Sequence, residues 1–147
     1  MHFFISENLT WSDHISVLIS KVSMNLGVVC KNLVVVHCIA QMMLDHVLYS
    51  LYVTPYLSYC NIVWATKVTT QITKLFILQK KAIRIITHSR WNSHTSLLFR
   101  NKYILKLNDL NTFLVGCFMH SAMHTELPAV LNDWFITNSS IHTYNTR

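Results

Sequence analysis

The 147-residue sequence is poor in glycine, proline and charge. It contains two glycines and two prolines, and its charged share of 12% is about half of that usual in soluble domains. The scarcity of glycine and proline disfavours a turn-rich β fold and favours long helices. Because 52% of the residues are apolar, little charge remains to cover the surface. We therefore expect part of the apolar surface to meet another domain, a partner or a membrane.

Motifs for catalysis are also missing from the sequence. The four aspartates are isolated from one another, and there is no glycine-rich phosphate loop, nucleophile elbow or pair of acids. His120 and His124 have the spacing of metal ligands on a helix, but no third ligand in a known motif accompanies them. We interpret them as structural, and we expect no catalytic residue, no metal, no cofactor and no small-molecule substrate.

The four cysteines form no CxxC pair, and nothing at the N-terminus resembles a cleavable signal peptide. Their neighbours in the sequence are apolar. We interpret Cys30, Cys38, Cys60 and Cys117 as reduced, buried thiols of an intracellular protein.

The longest stretch without a charged residue, His46 to Thr66, has the length of a membrane span. Pro55 interrupts it, and its polar side chains would be costly at bilayer depth. We therefore do not expect a span here, and a small membrane-associated protein is kept only as an alternative.

Periodicity predicts a mainly α fold, an irregular helical bundle forming one unit over residues 1–147. An N-terminal strand over His2 to Ile5 is an option, Lys31 to His37 is open between strand and helix, and residues 136–147 are expected to be an extended tail. The predicted helices are about Trp11–Leu26, Cys38–Val53, Pro55–Trp64, Thr70–Thr87, Thr95–Lys102 and Asn108–His124, followed by a last turn or two from Pro128 to Trp134. Gly27 is predicted to end the first of these helices, and Asn108 or Asp109 to cap the one that runs to His124.

Positive charge is concentrated in one segment of the chain. Lys67 to Lys106 holds nine basic residues and no acidic one, whereas the remainder holds three basic and six acidic residues. The predicted helix within this segment has an apolar arc formed by Ile72, Leu75, Phe76, Gln79, Ala82, Ile83 and Ile86, opposite Lys74, Lys80, Lys81 and Arg84 with Ile77 among them. Such a helix is typical of a solvated face, of a membrane surface, or of cations that meet a phosphate backbone.

Three stretches carry a resemblance to a known family. They are FISENLTWSDHI from Phe4 to Ile15, the blocks PYLSYCNIVW and LFILQKKAIRII between Tyr52 and Thr87, and IHTYNTR from Ile141 to Arg147. Together they resemble the region downstream of the palm in jockey-like reverse transcriptases of non-LTR retrotransposons. Between Val28 and Asp45 the sequence departs from the more basic, leucine-rich helix pair of that family.

The resemblance implies a C-terminal, thumb-side fragment of an RNA-directed DNA polymerase. Such polymerases hold two metal ions with palm aspartates, including an aromatic-x-Asp-Asp turn that this sequence lacks, so we expect no DNA synthesis. The implied partners are RNA or an RNA–DNA duplex and the palm domain of a parent polymerase. The predicted nucleic-acid contacts are Lys74, Lys80, Lys81, Arg84, Arg90, Trp91, Arg100 and Lys102. The alternative is an inactive relic with no present function.

Overall fold

The computed structural model describes residues 11–35, 41–65, 69–124, 126–132 and 134–135, and within these ranges all regular structure is α-helical. The predicted mainly α fold is thus confirmed. The optional strand at His2 to Ile5 and the tail over 136–147 lie outside the described residues. The helices are α1 (Ser12–Val35), α2 (Gln41–Tyr52), α3 (Thr54–Ser58), α4 (Asn61–Trp64), α5 (Thr69–Ile86), α6 (Thr95–Asn101), α7 (Leu107–Met123) and α8 (Ala129–Asn132).

The chain divides into two compact units, Met1–Asn111 and Thr112–Arg147. The first unit contains α1 to α6 and the first turn of α7, and the second contains the rest of α7 together with α8. The assignment of the whole chain to one helical unit stays a prediction.

The core of the first unit lies between α1 and α5, with α2, α3 and α6 packed around them. Both long helices contribute one apolar face at helical spacing, as their sequence periods predict. The most deeply buried apolar side chains are Ile15, Leu18, Val22, Val29, Val53, Leu57, Trp64, Leu75, Ala82, Ile83, Ile86, Phe99 and Leu107.

Gly27 does not end the first helix, and that prediction is wrong. Helix α1 continues to Val35, which also makes the ambiguous residues 31–35 helical. Leu26 and Val29 on either side of the glycine are both buried. A glycine inside a helix costs about 1 kcal/mol relative to alanine, and the burial of Val29 beyond it offsets that cost.

The predicted single helix from Pro55 to Trp64 is broken, because Cys60 takes the left-handed conformation with φ of 49°. In a continuous helix the Tyr59 carbonyl would accept from the Val63 amide, which here donates to the Cys60 carbonyl at 3.0 Å instead. The Trp64 indole Nε1–H donates to the Tyr59 carbonyl at 2.8 Å, while Trp64 itself is fully buried. Two short helices therefore replace the predicted longer one.

The start of α7 also differs from the prediction of a cap at Asn108 or Asp109. The helix begins at Leu107, whose amide donates to the side-chain oxygen of Gln79 at 2.9 Å. A buried side chain from α5 thus accepts from the first amide of α7, which has no partner within its own helix.

Two of the four cysteines are not buried as predicted. Cys30 and Cys117 are exposed, and Cys60 is half-buried, where burial raises the pKa of its thiol. Both exposed residues lie on the outward sides of their helices, because an amphipathic helix buries only part of its circumference. These three are free thiols, and Cys38 lies outside the described residues.

Across the described ranges, no helix has both the length and the apolar content needed to cross a membrane. The uncharged stretch from His46 to Thr66 is divided among α2, α3 and α4 as far as it is described.

We expect His14 to make the stability of the first unit depend on pH. Its side chain is 1% exposed, and burial, followed by the positive charge of Lys21, lowers its pKa from 6.5. The unfolded chain therefore binds this proton more readily than the folded one, so stability present above pH 6.5 should be lost as the pH falls. When the pH is lowered from neutral to about 5, the urea midpoint of His14→Leu should fall less than that of the wild type. His94→Gln, at an exposed histidine, is the control. If the urea midpoint of His14→Leu fell with pH as steeply as that of the wild type, His14 would not be the source of the pH dependence.

Candidate nucleic-acid interface

Helix α5 divides into a buried face and a basic face. Leu75, Gln79, Ala82, Ile83 and Ile86 are buried, and the other members of the predicted arc, at positions 72 and 76, are half-buried. The predicted burial of one face of α5 is therefore confirmed. Of the basic residues opposite it, Lys74 and Lys81 are exposed, whereas Lys80 and Arg84 are half-buried.

Lys74 and Lys81 form the exposed centre of the basic face. They are two helical turns apart, which separates them by about 10 Å along the axis. Ile77 lies between them and is 56% exposed. Because no acidic residue occurs between Lys67 and Lys106, the local sequence provides no carboxylate to neutralise these two ammonium groups.

Lys80 lies at the flank of this face rather than at its centre. Its Nζ is 4.3 Å from the centroid of the Phe76 ring, one turn earlier in α5. A cation at this distance is attracted by the ring face, which restrains the ammonium group near the edge of the helix.

Arg84 has a structural contact in addition to its charge. It is half-buried, and its Nε–H donates to the Ser93 carbonyl at 3.1 Å. This bond ties the loop after α5 back to the helix, while the terminal guanidinium nitrogens remain as further donors.

The loop turns at the end of α5 through a Schellman motif. His88 takes the left-handed conformation with φ of 49°, its amide donates to the Ile85 carbonyl, and the Ser89 amide donates to the Arg84 carbonyl at 3.0 Å. The hydroxyls of Thr87 and Ser89 are 2.9 Å apart. These bonds direct residues 89–93 alongside the helix.

A groove results between the basic face and the loop. Its volume is about 380 Å³, and it is lined by Ile77, Lys81, Arg84, Ile85, Ser89 and Trp91. The Trp91 side chain is 86% exposed. The structure therefore brings together three of the predicted contact residues, Lys81, Arg84 and Trp91, in one concave site.

The remaining predicted contacts do not line this groove. Arg90 is exposed beside Trp91 in the loop, Arg100 is exposed in α6, and Lys102 follows α6 and is half-buried. Lys74 extends the basic face towards the start of α5.

Sequence reasoning missed Ile85 and Ser89 as lining residues. Ile85 borders the basic side at helical spacing from Lys81, a signal that the sequence does contain. Ser89 enters the groove because of the Schellman turn, and no glycine marks that turn in the sequence.

Two other cavities have a different character. One of about 240 Å³ in the first unit adjoins Tyr49 and Gln79, and the described residues that line it include no lysine or arginine. Another of about 520 Å³, in the second unit, is lined by five residues of α7: Phe113, Gly116, Cys117, His120 and Ser121. Neither has the cations expected of a polyanion site.

The rings of His120 and His124 have centroids 4.3 Å apart. Within the described part of the chain, no three or more histidine, cysteine, aspartate or glutamate side chains are grouped so that they could hold a metal ion.

No protein-family model, curated protein or solved structure matches this chain. The resemblance to non-LTR reverse transcriptases therefore remains a hypothesis drawn from the sequence.

Proposed function

We propose that this chain is a non-catalytic, nucleic-acid-binding fragment of a mobile-element reverse transcriptase, and that the basic face of α5 holds an RNA or RNA–DNA backbone. The ancestry rests on the sequence resemblance. The binding role rests on one observation, the outward placement of Lys74 and Lys81 on a helix whose opposite face is buried in the core.

Cations spaced along a rigid helix suit a polyanion better than a small ligand. Ammonium groups that contact phosphates release condensed counterions, which makes binding favourable at low salt and insensitive to base sequence. The burial of the other face of α5 holds the helix in place, so no folding of this element need accompany binding. A polymerase fragment that accepts any template requires this kind of contact.

The test replaces Lys74 and Lys81 together with glutamine. Binding of the double variant to an RNA–DNA duplex should be weaker by one to two orders of magnitude at about 0.1 M salt, and the salt slope should flatten by about two units, at roughly 0.9 for each phosphate that the variant no longer neutralises. Fluorescence anisotropy over a salt series measures both quantities. Helix content should be unchanged, because both residues are exposed and glutamine is nearly as good a helix former as lysine.

Lys31→Gln is the matched control, because Lys31 is an exposed lysine of α1 outside the basic segment. It should change the slope by well under one unit. A folded double variant with wild-type affinity and slope would show that the basic face is only solvated. If the wild type did not bind the duplex, the alternative of an inactive relic with no present function would be favoured.

Membrane association is the second candidate, and the exposure of Ile77 between two lysines favours it. Vesicles of phosphatidylcholine with phosphatidylserine distinguish the two functions. Flotation of the wild-type chain with these vesicles, without duplex binding, would replace the nucleic-acid proposal by this one.

A further inference from the structure

The groove beside α5 has a composition that a phosphate backbone alone does not require. Of the six described residues that line it, Ile77, Ile85 and Trp91 are apolar. The other three are the cations Lys81 and Arg84 and the neutral polar Ser89. A duplex backbone presents phosphates and sugars on its outside and keeps its bases stacked within. An apolar wall next to two cations therefore fits a nucleotide whose base is not already stacked.

We infer that this groove binds one unpaired nucleotide at the single-stranded end of a nucleic acid, with the base against Trp91 and its phosphate near Lys81 and Arg84. This inference rests on the proposed function and names the part of the nucleic acid that the groove recognises. The volume of the groove, about 380 Å³, lies near the lower end of the range of roughly 300–1,000 Å³ for small-molecule sites. A volume of this size suits a single nucleotide.

The position of Trp91 supports the stacking role. An indole that is 86% exposed at the rim of a groove contributes little to the core of its own protein, yet aromatic rings are the usual platforms for unpaired bases. Arg84 restrains the loop that carries Trp91 through its bond to the Ser93 carbonyl. The backbone of the loop that carries the indole is therefore restrained before the nucleotide binds.

Charge complementarity identifies the occupant. Lys81 and Arg84 line the same groove as the indole, and the segment from Lys67 to Lys106 contains no acid that would repel a phosphate. Base stacking on the indole tolerates any base, because every base has a π face. We therefore expect a preference for unpaired over paired nucleotides, without a preference among sequences.

The experiment compares three forms of one labelled RNA–DNA duplex by fluorescence anisotropy with the full chain. One is blunt, one has a short single-stranded overhang, and one has the same overhang built from abasic nucleotides. The wild type should bind the natural overhang about tenfold more tightly than the blunt duplex. The abasic overhang keeps the added phosphates and has no bases, so it should recover only a small part of this gain.

Trp91→Ala should remove the preference for the natural overhang, so that this variant binds the natural and the abasic overhang with equal affinity. Lys81→Gln should weaken binding to all three forms. Trp134→Ala is the matched control, because this tryptophan is 72% exposed in the second unit, and it should keep the full preference. Circular dichroism of each variant checks that helix content is retained.

Two results would overturn the inference while nucleic-acid binding stands: equal wild-type affinity for the blunt and overhanging forms, or a preference that Trp91→Ala leaves intact. Wild-type binding to none of the three forms would instead reject the proposed function, and the inference with it. Trp91-dependent binding to phosphatidylserine vesicles, without any preference for the overhang, would assign the groove to a lipid surface.

Discussion

Truncation of Trp64 to alanine should lower the free energy of unfolding by about 3–5 kcal/mol. The indole is fully buried in the core of the first unit, and its Nε1–H donates to the Tyr59 carbonyl at 2.8 Å. The variant loses the burial of a large aromatic side chain, leaves a cavity, and loses the hydrogen bond from the indole to that carbonyl. Urea unfolding followed by far-ultraviolet circular dichroism measures the change without depending on tryptophan fluorescence.

Trp64→Phe separates the two contributions to this loss. Phenylalanine keeps most of the apolar volume and cannot donate to Tyr59, so its cost should be nearer to 1–3 kcal/mol. Trp91→Ala, at an exposed tryptophan of the same unit, should stay within about 0.5 kcal/mol of wild type. A Trp64→Ala midpoint equal to that of Trp91→Ala would contradict the placement of Trp64 in the core.

The part of the fold that the sequence predicts best is α5. Its period continues for 18 residues, and six of its nine apolar side chains fall on the predicted arc. Periodicity of this length specifies both which face packs and which face carries the lysines. The basic face of the candidate site was therefore predictable from local sequence alone.

Helix ends were predicted less well, because the rules for them depend on glycine. The sequence has two glycines, and neither takes a positive φ. Cys60, His88 and Tyr103 take the left-handed conformation instead. This conformation costs a non-glycine residue about 1–2 kcal/mol, which contacts made elsewhere in the fold offset, and those contacts are not visible in a local pattern.

The groove of the candidate site could be predicted only in part. Trp91 falls between the predicted helices Thr70–Thr87 and Thr95–Lys102 and is among the predicted contacts. Its position alongside Lys81 depends on the Schellman turn at His88 and on the bond from Arg84 to the Ser93 carbonyl. The turn and the Arg84 bond each join a side chain or an amide to the backbone several residues away. No local sequence pattern predicts either of them.

Gln79 belongs to the same class of contact, and its replacement by leucine should lower the free energy of unfolding by about 3 kcal/mol or more. The side chain is 1% exposed, and its amide nitrogen donates to the Tyr49 hydroxyl and to the Leu105 carbonyl, each at 2.9 Å. Its oxygen accepts from the Leu107 amide at 2.9 Å. Leucine fills a similar volume and leaves all three partners without a bond, two of which are in buried contacts.

The effect of Gln79→Leu should be specific to this position rather than to a glutamine on α5. Gln71 lies on the same helix, is half-buried and donates to the Ser12 hydroxyl at 2.7 Å. Gln71→Leu should therefore cost about 1 kcal/mol or less, because the Ser12 hydroxyl can bond to water instead.

Tyr49→Phe measures the contribution of one Gln79 contact, the hydrogen bond to the Tyr49 hydroxyl. Burial raises the pKa of Tyr49 to about 12, with an opposing effect from the Gln79 hydrogen bond, so this hydroxyl stays protonated at neutral pH. Its removal should cost about 0.5–1.5 kcal/mol, less than the loss of Gln79. The larger part of the free energy lost in Gln79→Leu then comes from the backbone groups before and at the start of α7, since the Leu105 carbonyl and the Leu107 amide both bond to Gln79. Unfolding midpoints of Gln79→Leu and Gln71→Leu that agree within error would show that α7 begins at Leu107 without help from α5.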